Sequence, residues 1–168
     1  LPNIPQTVVA FLAAASLGAI WTLCAPDMGP VSVGDRLRQV EPKVLIAVDG
    51  YRFAGKPYDR RAPLNEILDG LPSVTGVLWV PHLDRDAAPP AAVSARRWLP
   101  WAEAIAAEAA GAPEPLPADH PLWILYSSGT TGLPKPIVHG HGGVLANGVL
   151  NMVLHNDLHP GDRILWAV

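Results

Sequence analysis

Apolar and polar positions along this chain fall into short blocks whose spacing alternates between helix and strand. Asn3, Pro5 and Gln6 open the first block, with Asn3 placed to cap, Pro5 in the first turn and Gln6 at the reciprocal capping position. A helix is therefore expected from about Ile4 to Leu17. Gly18 ends it, and Ala19 to Leu23 reads as a short buried strand before the turn Ala25 to Gly29. Ser32 and Asp35 repeat the capping spacing ahead of Val33, Leu37 and Val40, which share one helical face, and Pro42 stops that helix. Val44 to Val48 is an apolar run of strand length that Asp49-Gly50 closes with a turn signal.

The second half continues the alternation. Ala62 to Leu71 has helical spacing and is broken by Pro72, and Gly76 to Val80 is a third strand. Pro81 to Pro90 is a polar loop, Leu99 to Ala110 a short alanine-rich helix, and Ala112 to Pro121 a surface connection. Leu122 to Tyr126 is a fourth strand. Ile137 to His139 can pair as a strand, His141 to His155 can form a helix despite Gly142, Gly143 and Gly148, and Arg163 to Val168 reads as a last strand. Strands alternating with helices in this way predict an α/β fold, with helices covering both faces of a largely parallel sheet. At 168 residues the chain is long enough for one domain with a real core.

The first 26 residues carry no charge, and Thr7 to Ala25 is long enough to cross a bilayer. No basic residue flanks that stretch, as a signal or anchor requires, and Gly18 interrupts it. Doubly covered α/β cores produce such continuous apolar runs, so a buried helix and strand are expected and membrane insertion is not. The chain opens at Leu1 and stops at Val168 within an apolar run, which suggests an internal piece of a longer protein.

Charge and cysteine usage narrow the function classes. The net charge is -3 and the 12 Lys and Arg are scattered or locally paired, so no basic face for nucleic acid is expected. The single cysteine, Cys24, leaves no internal disulfide and no cysteine metal cage, which suits a reducing compartment such as the cytosol. It has no activating base nearby in sequence, so a nucleophilic role is not expected. His139 and His141 lie two apart, with His155 and His159 after them, but no Cys or carboxylate cluster accompanies them. Hydrogen-bonded packing is expected there, and no metal ligand is assigned.

The chemistry concentrates in Tyr126-Ser-Ser-Gly-Thr-Thr-Gly-Leu-Pro-Lys135. A Ser, Gly and Thr loop leaving a buried strand offers backbone N–H groups and hydroxyls that together can wrap phosphate oxygens. Gly129 and Gly132 let the backbone approach an anion. Ser127, Ser128, Thr130 and Thr131 supply hydroxyl donors, and Lys135 supplies a point charge suited to phosphate. A bare surface turn would not need four hydroxyls and a lysine within nine residues. The loop is not the nucleotide loop of kinases and GTPases, which places lysine directly after its second glycine.

The spacing instead resembles the signature of the adenylate-forming superfamily, a Ser-Gly-Ser/Thr-Thr-Gly-x-Pro-Lys run after an aromatic residue. The surroundings resemble one branch of it, the acetoacetyl-CoA synthetases: Asn3-Ile-Pro5, Gly18-Ala-Ile-Trp21, Cys24-Ala-Pro-Asp27, Glu41-Pro-Lys-Val44, Asp49-Gly-Tyr51, His120-Pro-Leu-Trp123, Ile137-Val-His-Gly-His-Gly-Gly143 and His155-Asn-Asp157. The resemblance is weakest between Leu83 and Pro117, and His159-Pro-Gly-Asp162 is shared more widely with acetyl-CoA synthetases. It implies that residues 1–168 are part of the N-terminal adenylation domain, incomplete at both ends.

The resemblance also implies a two-step ligase. The carboxylate of acetoacetate attacks the α-phosphate of Mg·ATP, and coenzyme A then displaces AMP from the acyl-adenylate. Ser127 to Gly132 would cradle the β- and γ-phosphates with Lys135 assisting. Magnesium comes in with the nucleotide, no carboxylate here is assigned to it, and no catalytic residue is assigned in this segment. Adenine, ribose and the acid pocket would be served by later parts, so these residues alone are not expected to turn over. An isolated piece should leave an edge and apolar faces uncovered, and so self-associate. Another short acid, acetate or propionate, and a non-catalytic phosphate-binding module are the alternatives. Pro136 departs from the family's usual Gly or Ala, removing an N–H and stiffening the loop's exit.

Overall fold

The computed structural model describes residues 1–106, 111–127 and 132–165. In chain order its elements begin with α1 (Pro5–Ser16), β1 (Trp21–Thr22), α2 (Pro30–Leu37), β2 (Val44–Val48), β3 (Gly50–Phe53), β4 (Lys56–Asp59) and α3 (Arg61–Asp69). They continue with β5 (Gly76–Val80), α4 (Ala91–Ser94), β6 (Arg97–Pro100), α5 (Trp101–Ala106), β7 (Pro121–Ser127), β8 (Lys135–Gly140) and α6 (His141–Val149). A π-helical segment, Leu150–His155, extends α6.

The fold is mixed α/β with parallel strands, as expected, but the strands divide between two sheets and a hairpin. One sheet has the order β1-β7-β8, the other β2-β5-β6, and β3 pairs β4 alone. All pairs in β2-β5-β6 are parallel, with Val44 opposite Gly76 and Gly76 opposite Arg97. In the first sheet β1 runs parallel to β7, with Trp21 opposite Trp123, while β8 returns antiparallel.

Burial explains the second sheet. Leu37 from α2, Leu64 and Leu68 from α3 and Val93 from α4 pack with Ala47, Val77 and Trp79 into one cluster. Leu68 and Val93 are 0% exposed, so the centre of this cluster is out of water. In the first sheet, Phe11 of α1 lies over Trp21 and Trp123, with ring centroids 5.8 and 5.6 Å away. Offset and edge contacts of this kind add modestly to the area they bury.

Several local expectations need correction. Asn3 does not cap α1; the N-cap is Ile4, in extended backbone, and the preset φ of Pro5 starts the helix. The other end closes as read, with Gly18 N–H donating to Ala15 O and Ala19 N–H to Ala14 O in a Schellman motif. Likewise α2 starts at Pro30 behind Gly29, so Ser32 and Asp35 lie inside it. Ser32 Oγ accepts from Arg36 Nη1 at 2.6 Å, and Asp35 pairs with Arg38 at 2.7 Å. The helix is over by Leu37, before Pro42.

Asp49-Gly50 does not end in a plain turn. The chain bends straight into the β3-β4 hairpin, where Tyr51 and Tyr58 stack at 5.2 Å. β6 is a further strand the pattern did not announce, and α5 starts at Trp101 rather than Leu99, with residues 107–110 outside the described set. Arg163 to Leu165 forms no strand, and the remainder of that expected strand lies outside the described residues.

Candidate phosphate-loop site

The loop expected to meet phosphate is the connection of an antiparallel hairpin. Ser127 faces Lys135 across β7 and β8, and Tyr126 faces Pro136. The first hydroxyl and the lysine of the motif are thus brought side by side although eight positions separate them in sequence. Ser128, Gly129, Thr130 and Thr131 lie outside the described residues. Of the other candidates, Ser127 is half-buried at the end of β7, while Gly132 and Lys135 are exposed. Gly132 has φ +97°, a backbone region that glycine enters without the steric cost of a Cβ.

Pro136 sits inside β8 itself. Because β8 is an edge strand of its sheet, a missing N–H is tolerated there as it would not be in a central strand.

The stem of the loop is fastened to α2. Tyr126 Oη donates to the carbonyl of Arg36 at 2.7 Å, and the Arg36 guanidinium carbon stands 5.8 Å from the Tyr126 ring centre. On the other side of the loop, Gln39 Nε2 donates to Pro134 O at 3.0 Å and to Asp35 O at 2.7 Å. Burial pushes the Tyr126 phenol above its ordinary range, against the lowering effects of Thr22 and Arg36. Arg36 and Gln39 had no sequence signal, since each meets the loop across 90 residues or more.

Neighbouring groups have other roles. Cys24 is half-buried beneath the seam, and burial pushes its thiol up, with Arg36 partly offsetting, so it stands as a protonated packing group. His139 packs on Trp123 at 6.4 Å, and His141 opens α6 at 6.0 Å from His120. His120 Nε2 lies 3.0 Å from Gly18 O. Among the described residues no group of three His, Cys, Asp or Glu side chains could hold a metal ion, and no helix is long and apolar enough to cross a membrane.

What this arrangement can do is bind an anion between a hydroxyl and an ammonium group at the mouth of a strand pair. The chain is 40% identical over 168 residues to acetoacetyl-coenzyme A synthetase of Rhizobium meliloti, covering 99% of this chain and 25% of that protein. It is 38% identical over 175 residues to a malonamoyl-CoA synthetase of Penicillium aethiopicum, covering 98% of this chain and 24% of that one. The solved structure of acetoacetyl-CoA synthetase from Streptomyces lividans matches with a TM-score of 0.91 at 50% identity, over 100% of this chain and 25% of that one. The chain therefore spans about a quarter of the length of the relatives it matches. A family model described as AMP-binding enzyme matches residues 1–168 in full, and the chain belongs to that family.

Proposed function

We propose that the protein carrying these residues is an ATP-dependent acid–thiol ligase that activates acetoacetate and transfers it to coenzyme A. The observation that carries this reading is the likeness, along all of this chain and a quarter of the other, to an acetoacetyl-CoA synthetase structure at 50% identity, with Ser127 and Lys135 paired across a hairpin. Residues 1–168 would then be part of an N-terminal adenylation domain, working in the cytosol where ATP and coenzyme A are abundant.

In the first step the acid's carboxylate oxygen bonds to the α-phosphorus of ATP and the bond to pyrophosphate breaks. Negative charge grows on the departing pyrophosphate, and donors fixed in advance lower that barrier more than mobile water does. Ser127 to Gly132 would supply those donors, with Lys135 beside Ser127 adding a positive charge. Magnesium would arrive with the nucleotide. In the second step the thiol of coenzyme A attacks the acyl carbon, and AMP leaves.

The test is pyrophosphate release by the full-length protein with ATP, magnesium, coenzyme A and each of acetoacetate, acetate, propionate and malonamate. Release with acetoacetate preferred by about tenfold in kcat/KM or more is the expected result, equal to about 1.4 kcal/mol of discrimination. Preference for another acid moves the substrate and leaves the ligase reading standing. No release with any acid sinks it and favours a non-catalytic phosphate-binding module.

A further inference from the structure

The end of α2 touches the phosphate loop at both of its stems, and nothing in the loop motif calls for that. At the entry, Tyr126 Oη donates to Arg36 O at 2.7 Å, one residue before Ser127. At the exit, Gln39 Nε2 donates to Pro134 O at 3.0 Å, one residue before Lys135. Arg36 lies in the last turn of α2 and Gln39 in the turn that follows it. Gln39 is also braced, since the same nitrogen donates to Asp35 O at 2.7 Å.

The connection joins separate parts of the molecule. α2 packs its buried face, Val33 and Leu37, into the cluster over β2 and β5, whereas the loop springs from the β1-β7-β8 sheet. A loop held only by its own hairpin would keep Ser127 opposite Lys135 but would leave both free to swing together. Two contacts from a helix rooted in another core fix where that pair points.

We propose that Gln39 is a positioning residue for the phosphate loop, acting with the Tyr126–Arg36 contact to set the loop against the core of the second sheet. The inference rests on the ligase reading for its consequence, ATP affinity, but not for the contact itself. Gln39 touches no substrate in this account. It holds Pro134, and through it the backbone that presents Lys135.

The experiment uses the full-length protein and has two arms. Gln39→Met keeps length and volume but donates nothing, Tyr126→Phe removes the other contact, and Val31→Ala, at the exposed far end of the same helix, is the control. In the first arm, without nucleotide, amide hydrogen exchange is followed at Leu133 and Lys135. Gln39→Met is expected to speed exchange there about fivefold, the value of one neutral hydrogen bond, with Val31→Ala unchanged. In the second arm, KM for ATP is expected to rise about fivefold in Gln39→Met, and further when combined with Tyr126→Phe, while KM for the acid stays within about twofold.

Unchanged exchange in Gln39→Met overturns the tether. Faster exchange with an unchanged KM for ATP overturns the positioning role. Equal rises in both KM values point to general loosening and count against it as well. If the unmodified protein releases no pyrophosphate with any acid, the ligase reading fails and the positioning role with it, while the exchange arm still decides the contact.

Discussion

The two three-stranded sheets of this chain are built to different degrees of completion. Against β2-β5-β6 the helices build a buried core, with Leu68, Leu71, Val80 and Val93 the largest fully buried residues, while Val44, Trp98 and Leu99 stay exposed at its margin. Over β1-β7-β8 and its helices only Ala10 and Leu122 are buried hydrophobics, while Leu12, Val138, Leu145 and Leu154 stand 58%, 58%, 70% and 70% exposed. The polar groups tell the same story. In the second sheet's half, Trp79 Nε1 donates to Ala87 O at 2.9 Å, and the buried Asp49 carboxylate accepts from the amides of His82, Leu83 and Asp84. Among the described residues, the two buried side-chain polar atoms without a partner, Trp123 Nε1 and His141 Nε2, are both in the first sheet's half.

Apolar exposure and unmet hydrogen bonds are independent measures, and native proteins keep both low. Their coincidence in one half marks a layer that lacks its cover, beside a layer that is finished. The relatives are about four times the length of this chain, so the family has chain enough to supply such a cover. The candidate phosphate loop springs from the unfinished half, and its two stems hydrogen-bond to Arg36 and Gln39 beside the finished one.

Equal truncations on the two sides should therefore differ most. Leu68→Ala removes atoms from a site with no exposure, losing transfer energy and leaving a cavity, so about 2–5 kcal/mol of stability should go. Leu145→Ala, at a position 70% exposed, should stay within about 0.5 kcal/mol. Urea unfolding of this chain, followed by tryptophan fluorescence, measures both. Comparable losses would dissolve the contrast between the halves.

The next effect concerns how the finished half satisfies its polar groups. Asp49 is 2% exposed, and its two carboxylate oxygens take three successive amides at 2.7–2.8 Å, pinning the loop after β5 to the end of β2. Asp49→Ala leaves those donors unmet and should cost about 3 kcal/mol. Asp49→Asn keeps one acceptor and should cost roughly half as much. A loss below the range of ordinary surface changes would mean that the loop finds other partners, and that the finished half owes less to polar satisfaction than its geometry suggests.

Much of this was legible in the sequence, and the parts that were not share a cause. β2 and β5 were read to the residue because Val44 to Val48 and Gly76 to Val80 are continuous apolar runs of strand length that end in buried residues. β6 and the β3-β4 hairpin were missed because their side chains, Arg97 and Trp98 or Lys56 to Asp59, are exposed; the backbone pairs there without an apolar pattern. Gly50 looked like a turn glycine. It is needed instead because the Tyr58 carbonyl and a Leu83 methyl crowd the place a Cβ would take. At the candidate site the motif itself was readable, since Ser, Thr, Gly and Lys announce their chemistry locally. Gln39 was not, because a hydrogen bond across 95 residues leaves no trace in spacing.

The smallest effect lies on the seam between the halves, at Cys24 and Tyr126. Burial raises the pKa of both, so each acid holds its proton more tightly in the folded chain than in the unfolded one. As pH climbs past the thiol's unfolded value of about 8.5 and then the phenol's of about 10, the unfolded chain gives up protons first. The folded state then binds more protons, and stability falls with rising pH through that window. Stability should be flat in pH from these two groups near neutrality and then decline, moving the urea midpoint by a few tenths molar at most, because both are only partly buried. Cys24→Ala should remove the earlier part of the decline and Tyr126→Phe the later part. A decline that survives both changes would deny Cys24 and Tyr126 any part in the pH response.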